Sequence, residues 1–319
     1  MTISRRRLLQ SSLAGAAASL RAQTARSVVA IGQDAQLRVG SSAPDSARLL
    51  ALLDRCVQRV YDRDTPLEAW KQVARHGETV GLKVNCLAGR GASTNVKLVE
   101  AVSERLQQAG IPAADIVIWD RLNSDLESAG FHPSARTGRL RVMGNDELGY
   151  DNELAVYGSA GSLLARTLTR VCDCVVNLPV LKDHGIVGAT MALKNFFGAI
   201  HNPNKYHMNV GNPYVADVYM LPPIRQKVRL HICDAIAPQY EGGPSYMPQW
   251  SWPFNGLLVS RDPVALDRTG WQILERKRAE KGMPPLASIK REPVYILTAA
   301  DADHRIGICD PARIARVEV

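Results

Sequence analysis

None of the six cysteines, Cys56, Cys86, Cys172, Cys174, Cys233 and Cys309, stands in C-x-x-C spacing with another. Neither a zinc knuckle nor a ferredoxin-type cluster is therefore written in the chain. No stretch approaches the ~20 consecutive apolar residues that cross a bilayer, so no stable membrane span is expected. Ser/Gly-rich linkers and internal repeats are missing too, and with them any mark that would divide residues 26–319. Acidic residues are absent from the first 25 positions, which hold Arg5, Arg6, Arg7 and Arg21. Removing those four arginines lowers the formal charge from +8 to +4, and no nucleic-acid partner is implied.

What the N-terminus contains is ordered: Ser4-Arg5-Arg6-Arg7-Leu8-Leu9, a short weakly apolar run from Ser12 to Leu20, then Ala22 and Ala25. That order is the pattern of a twin-arginine export signal over residues 1–25, with a tail of chance arginines as the plainer alternative. The expectation is a passenger sent folded to the periplasm or beyond, with the twin-arginine translocon as partner during export. Such passengers often carry a cofactor inserted before export; the cofactor here is unknown from sequence. Residues 26–319 are read as one α/β domain, long enough to bury a sizeable core.

The segment from Val175 to Gly198, VVNLPVLKDHGIVGATMALKNFFG, carries the strongest chemical signal. Its run Val175 to Leu181 is short, β-branched and closed by Pro179 and charge, which predicts a buried strand. Gly185 and Gly188 bracket a bend, and Ala189 to Ala199 is rich in helix formers, which predicts a helix with Thr190 and Lys194 one turn apart on one face. If the extended geometry persists past Leu181, Lys182 and His184 share a face. Lys194 lies among Ala, Met, Leu and Phe, where burial of an unpartnered ammonium is costly. Either that face is exposed or Lys194 meets a carboxylate or a ligand. Upstream, Cys172 and Cys174 flank Asp173, where strand alternation puts both sulfurs on one face. Buried thiols are the plain expectation, a disulfide or soft-metal site the alternative.

Elsewhere the chain alternates strand and helix. Strands are expected at Ser27–Ile31, Val80–Asn85, Asp115–Trp119, Leu140–Met143, Val228–Cys233 and Leu257–Ser260. Helices are expected at Asp45–Tyr61, at Val96–Ala109 capped by Ser93-Thr94-Asn95, at Ser124–Ala129 and at Pro263–Lys281. The fold class is α/β, a mostly parallel sheet with helices on both faces. Polar groups recur at strand ends: Lys83 and Asn85, Lys182 and His184, Asp234, and Asp262. In a parallel sheet such ends share one edge, where ligands collect. Asp262 before Pro263 also reads as a helix N-cap, and Asp267 follows one turn and a residue later. His184, His201 and His207 crowd one region, but intervals of seventeen and six match no standard metal-ligand spacing, and no metal is assigned.

Several of these segments together resemble the domain-of-unknown-function 362 (DUF362) family. The resemblance rests on Lys83-Val84-Asn85, on Asn177-Leu178-Pro179 with Leu181-Lys182-Asp183-His184, and on Thr190 with Leu193-Lys194-Asn195-Phe196-Phe197-Gly198. Glu241-Gly242-Gly243-Pro244 and Asp262-Pro263-Val264-Ala265-Leu266-Asp267 complete it. Members often carry Thr where this chain has Asp183, and some add a ferredoxin-like module that is lacking here. The resemblance implies a site more than a reaction.

The leading expectation is an enzyme binding a small anionic ligand, with His184, Lys182 and Lys194 as catalytic candidates. Lys83, Asn85, Thr190, Asn195, His207, Asp234 and Glu241 are the binding candidates, and Asp234 or Glu241 is expected to orient His184. A redox-linked version adds a cofactor loaded before export. The alternatives are a non-catalytic exported binding protein or partner of a redox enzyme, and a purely structural role for Lys182, Lys194 and Asn195.

Overall fold

The computed structural model describes residues 26–40, 42–134 and 140–319; the export signal expected over residues 1–25 lies outside them. Its centre is a ten-stranded sheet. The N-terminal half supplies β1 (Ser27–Gln33), β2 (Val80–Lys83), β3 (Ile116–Asp120) and β4 (Arg141–Gly144). A separate hairpin, β5 (Ala155–Tyr157) and β6 (Ala160–Ser162), precedes β7 (Cys174–Asn177), β8 (Val180–His184) and β9 (Gly188–Thr190). The C-terminal part adds β10 (Val228–Gln239), β11 (Gly256–Ser260) and β12 (Ile314–Glu318). The strand order is β12-β1-β11-β10-β7-β2-β3-β4, with β8 alongside β10 and β9 alongside β8. Most pairs are parallel, but β11 runs against both β1 and β10, and β9 against β8.

Side chains alternate between two cores, as the period of two requires. Ala30, Leu82, Ile116, Ile118, Cys174, Val176, Ile232 and Val259 face one layer, with helices α1 (Ser46–Tyr61), α2 (Pro66–Trp70), α3 (Val96–Gln108) and α4 (Asn123–Ala129). Val29, Val117, Trp119, Val175, Cys233 and Leu258 face the other, with α5 (Tyr214–Met220), α6 (Pro222–Lys227) and α7 (Pro263–Glu280). Cys172 and Cys174 fall into different cores. The shared face expected for their sulfurs does not exist, because the strand starts only at Cys174. Both remain free buried thiols.

Helix starts follow local chemistry. The Asp45 carboxylate accepts from the Arg48 N–H at the head of α1, and Asn95 from the Lys97 N–H at the head of α3. Asp262 accepts from the Val264 and Ala265 N–H groups, each at 2.9 Å, at the head of α7. Its other oxygen accepts from the Ser27 hydroxyl and from the Ile308 N–H at 2.8 Å, so the carboxylate is spent on the fold. Because β11 is antiparallel to β10, its carboxyl end and Asp262 lie on the sheet edge opposite to that of β2, β7 and β10.

Two expectations for the central segment are corrected. The strand from Val175 to Leu181 is interrupted at Leu178-Pro179, where the chain passes from β7 to β8. The helix expected over Ala189–Ala199 is instead β9 followed by a tight turn and a 3₁₀ helix, Lys194–Ala199. Thr190 pairs with Lys182 across the β8–β9 ladder rather than sharing a helix face with Lys194. Helix propensity is overridden by tertiary acceptors. The Asp267 carboxylate takes the N–H groups of Ala192 at 2.7 Å and Leu193 at 3.0 Å, while Asn177 donates to the Ala192 carbonyl. Among the described residues no helix is long and apolar enough to cross a membrane.

Candidate functional site

The carboxyl ends of β2, β3 and β8 open on one cavity of about 320 Å³, within the range of small-molecule sites. Lys83, Asn85, Lys182 and His184 line it from the strand ends; Thr190, Lys194, Asn195 and His207 close it from the following segment. Asp234 and Glu241 do not line it.

Both absences have a cause. Asp234 is 4% exposed and spends its carboxylate on the Asn95 N–H at 2.7 Å and the Ile236 N–H at 3.0 Å, tying α3 to β10. Burial pushes it up to about 6 despite those hydrogen bonds. Glu241 accepts from Arg278 and, at 2.7 Å, from Arg291. Arg291 reaches on to Asp183 at 2.6 Å, so one guanidinium fastens the Glu241 loop to β8. Burial raises the Glu241 carboxyl, but the two arginines outweigh it and leave it below its ordinary value. Neither acid touches His184.

The three lysines differ in what compensates them. Lys83 donates to Asp120 at 2.7 Å and to the Val84 carbonyl at 2.6 Å, and is 1% exposed. Asp120, missed in the sequence, also accepts from the Cys86 N–H at 2.7 Å. The charge of Lys83 is thus balanced within the protein. Lys182 donates to the Asn85 side chain at 2.9 Å and the Ala92 carbonyl at 2.8 Å, both neutral. Burial draws it down to about 8, against the pull of Cys86, Asp120 and Asp183. Lys194 has neither hydrogen bond nor ion pair among the described residues and rests its amine 4.7 Å from the centre of the Phe197 ring. Burial, then the nearby Lys182 charge, brings it to about 7. A ring face contributes about 0.5–2 kcal/mol to a cation, while desolvating an ammonium costs several. The ring does not hold the charge on Lys194.

Amides between these lysines form a connected relay. Asn85 donates to the Asn195 carbonyl oxygen at 3.0 Å, Asn195 to Asn177 at 2.7 Å, and Asn177 bonds His231 Nδ1 at 3.0 Å. Each amide's orientation is set by its neighbour, so Lys182 is aimed by a chain that ends deep in the sheet. His231, also absent from the sequence-based candidates, is buried neutral, drawn down to about 3 by desolvation.

The two cavity histidines carry opposite hydrogen-bond polarity. His184 Nδ1 accepts from the Ile186 N–H at 3.2 Å and, longer, from the Val187 N–H at 3.4 Å, so its proton is on Nε2. Burial, then the Lys194, His207 and Lys182 charges, keeps this ring neutral far below its ordinary titration range. His207 Nδ1 faces the Asn204 carbonyl at 3.2 Å and must donate to it, which leaves Nε2 as a lone pair. Burial and Lys194 lower this ring too. The rings stack at 5.1 Å. One offers a donor and the other an acceptor within one cavity. His201 is elsewhere, edge-on to Tyr150. Among the described residues no group of three or more His, Cys, Asp or Glu side chains is placed to hold a metal ion.

Comparison with known proteins gives the family. A thylakoid-associated protein of Synechocystis sp. is 27% identical over 237 residues, covering 71% of each chain. The lactate racemase apoprotein of Thermoanaerobacterium thermosaccharolyticum superposes with a TM-score of 0.40 at 10% identity, over 70% of this chain and 55% of that one. A protein of Thermotoga maritima gives 0.38 at 8% identity, over 76% and 61%. The chain thus spans less than two thirds of either solved structure. Residues 80–272, more than half of the chain and all the elements that line the cavity from β2 to His207, match the domain of unknown function DUF362. The protein belongs to the DUF362 family.

Proposed function

We propose that the cavity binds a small organic anion and moves a proton on it. The observation that carries this reading is the combination of two lysines without a carboxylate partner, Lys182 and Lys194, and two stacked histidines of opposite polarity. Lys182, still largely protonated below pH 8, is the charge that attracts a carboxylate or phosphate. The Nε2–H of His184 hydrogen-bonds an oxygen on which negative charge develops, as a neutral imidazole that never charges in the working range. His207 Nε2 is the lone pair that takes a proton from the carbon beside it. Lys83 and Asp120 act as scaffold, since their charges cancel each other.

Incubation with pyruvate, 2-oxobutyrate and 2-oxoglutarate in D₂O, followed by proton NMR, tests this reading. The expected result is deuterium at the carbon next to the carbonyl at least ~10²-fold faster than in buffer, the usual contribution of a positioned base. His207→Gln and His184→Gln should abolish the excess. A tightly held anion recovered by mass spectrometry of natively purified protein, with no exchange on any of these acids, selects the non-catalytic binding reading instead.

We also propose export by the twin-arginine pathway to the periplasm or beyond, on the residue order from Ser4 to Ala25. Fusing residues 1–25 to a reporter and replacing Arg5 and Arg6 together by Lys tests it. Equal export with and without the arginine pair overturns it.

A further inference from the structure

We propose that Lys194 is a covalent catalyst, condensing through Nζ with the carbonyl carbon of a small 2-oxo acid to form an imine. This rests on the anion-binding, proton-moving reading above and names its substrate class. Of the three cavity lysines only Lys194 has no acceptor among the described residues to hold it as an ammonium. Lys83 has the Asp120 carboxylate, Lys182 has an amide oxygen and a carbonyl, and Lys194 has an aromatic face. It is 8% exposed and lines the same cavity as Lys182 and both histidines. A desolvated lysine beside a second cation is the arrangement that keeps a nucleophilic amine unprotonated near neutral pH. Of the two carboxylates on the cavity wall, Asp120 is engaged by Lys83 and the Cys86 N–H, and burial raises Asp125 above its ordinary value.

The neighbours define what the amine meets. Lys182, on the same cavity wall as Arg121, supplies positive charge for a carboxylate, and a donor at His184 Nε2 suits a carbonyl oxygen. A carboxylate adjacent to a carbonyl is a 2-oxo acid. The Lys194 lone pair forms the new C–N bond as the carbonyl π pair moves to oxygen. Both amine hydrogens then pass to that oxygen, which leaves as water while the nitrogen lone pair closes the C=N bond. Once solvent protonates the imine, the pair of an adjacent C–H bond moves into a C=C bond and quenches the nitrogen charge; His207 Nε2 accepts the proton.

The experiment is reductive trapping of the full chain with pyruvate, glyoxylate or 2-oxobutyrate and cyanoborohydride, read by intact mass and peptide mapping. Hydride from the reagent adds to the imine carbon and leaves a stable secondary amine. One adduct per chain is expected, on the peptide holding Lys194, at least ~10-fold above any other lysine, because exposed lysines are protonated at neutral pH. Lys194→Arg and Lys194→Met, checked for native circular dichroism and thermal midpoint, should both lose it. Lys182→Met should raise the half-saturating pyruvate concentration by about tenfold, the weight of one charge-assisted contact. Uniform labelling of many lysines, or no adduct with any of the three acids, overturns the proposal. If deuterium exchange proceeds while no adduct forms, the imine is refuted and the proton-transfer reading stands. An adduct at Lys194 without exchange upholds the imine and refutes that reading.

Discussion

Replacing Asp120 by Asn tests whether the Lys83 pair is the scaffold that the cavity geometry requires. Lys83 is 1% exposed, and its ammonium would keep only the Val84 carbonyl at 2.6 Å, a long 3.5 Å contact to Asn195 and the Trp119 ring at 5.5 Å. Removing one partner of a buried pair costs about 3–5 kcal/mol, since the surviving charge is left uncompensated. Asn can still accept from the Cys86 N–H, so loss of that bond does not explain the effect. The cost is large against the roughly 5–15 kcal/mol by which domains are stable. In urea, with slopes of about 1–3 kcal/mol per molar, the midpoint should fall by more than about 1 M. The double replacement Lys83→Met with Asp120→Leu removes both charges. It should recover at least half of the loss, because an apolar pair of similar volume needs no compensation. If Asp120→Asn costs under about 1 kcal/mol and the double variant is no better, water reaches Lys83 and the pair is not a buried scaffold.

Three further outcomes follow from the same geometry. A methyl on Gly198 would stand 2.7 Å from Asp120 Oδ1 and 2.8 Å from Lys83 Nζ. Gly198→Ala should therefore cost about 1–3 kcal/mol by overpacking and lower the melting temperature; an unchanged melting curve would show that the pair yields freely. His304 donates from one ring nitrogen to Asp301 at 2.8 Å and from the other to Asp217 at 2.9 Å, joining the C-terminal segment to α5. Burial opposes its charge, but the two carboxylates prevail and raise it above 6.5. Its contribution is complete below pH 6.5 and fades as pH rises through the higher folded value. The stability gap between wild type and His304→Gln should shrink by about 1 kcal/mol between pH 5.5 and 8.5, and a pH-independent gap would show that the ring is neutral throughout. Trace acetylation against pH should give midpoints near 7 for Lys194 and 8 for Lys182. Midpoints near the ~10.4 of a free lysine would mean that the cavity does not desolvate them.

The strand ends were legible because parallel α/β sheets impose simple rules. An apolar β-branched run that stops in Lys, Asp and His marks a carboxyl end, and parallel neighbours bring such ends together. What those rules leave open is strand order and direction. Asp120 closes β3, and the register Lys83↔Trp119 places it one residue beyond the partner of Lys83. Nothing in the chain says that β2 and β3 are neighbours before the sheet is assembled. Direction misplaced Asp262, whose strand runs antiparallel to both of its neighbours. Distance hid Arg291, which meets Asp183 across 108 residues and Glu241 across 50, and so holds the glycine loop that sequence reasoning assigned to the cavity.

Lys194 shows where local and tertiary information divide. Its apolar setting, Leu193-Lys194-Asn195-Phe196-Phe197, already poses the dilemma of an ammonium either exposed, paired or awaiting a ligand. Helix propensity then suggests the wrong backbone, because it counts residues and not the acceptors that compete for their N–H groups. Asp267, 75 and 74 residues away, claims the Ala192 and Leu193 amides and Asn177 claims the Ala192 carbonyl. The resulting turn carries Lys194 into the cavity instead of along a helix face. Of the three resolutions, exposure is excluded by its burial and pairing by the absence of any acceptor among the described residues. The third is the reading proposed above, a buried amine drawn down to about 7 by desolvation and the Lys182 charge and engaged by a ligand, and the titration of Lys194 is the measurement that bears on it most directly.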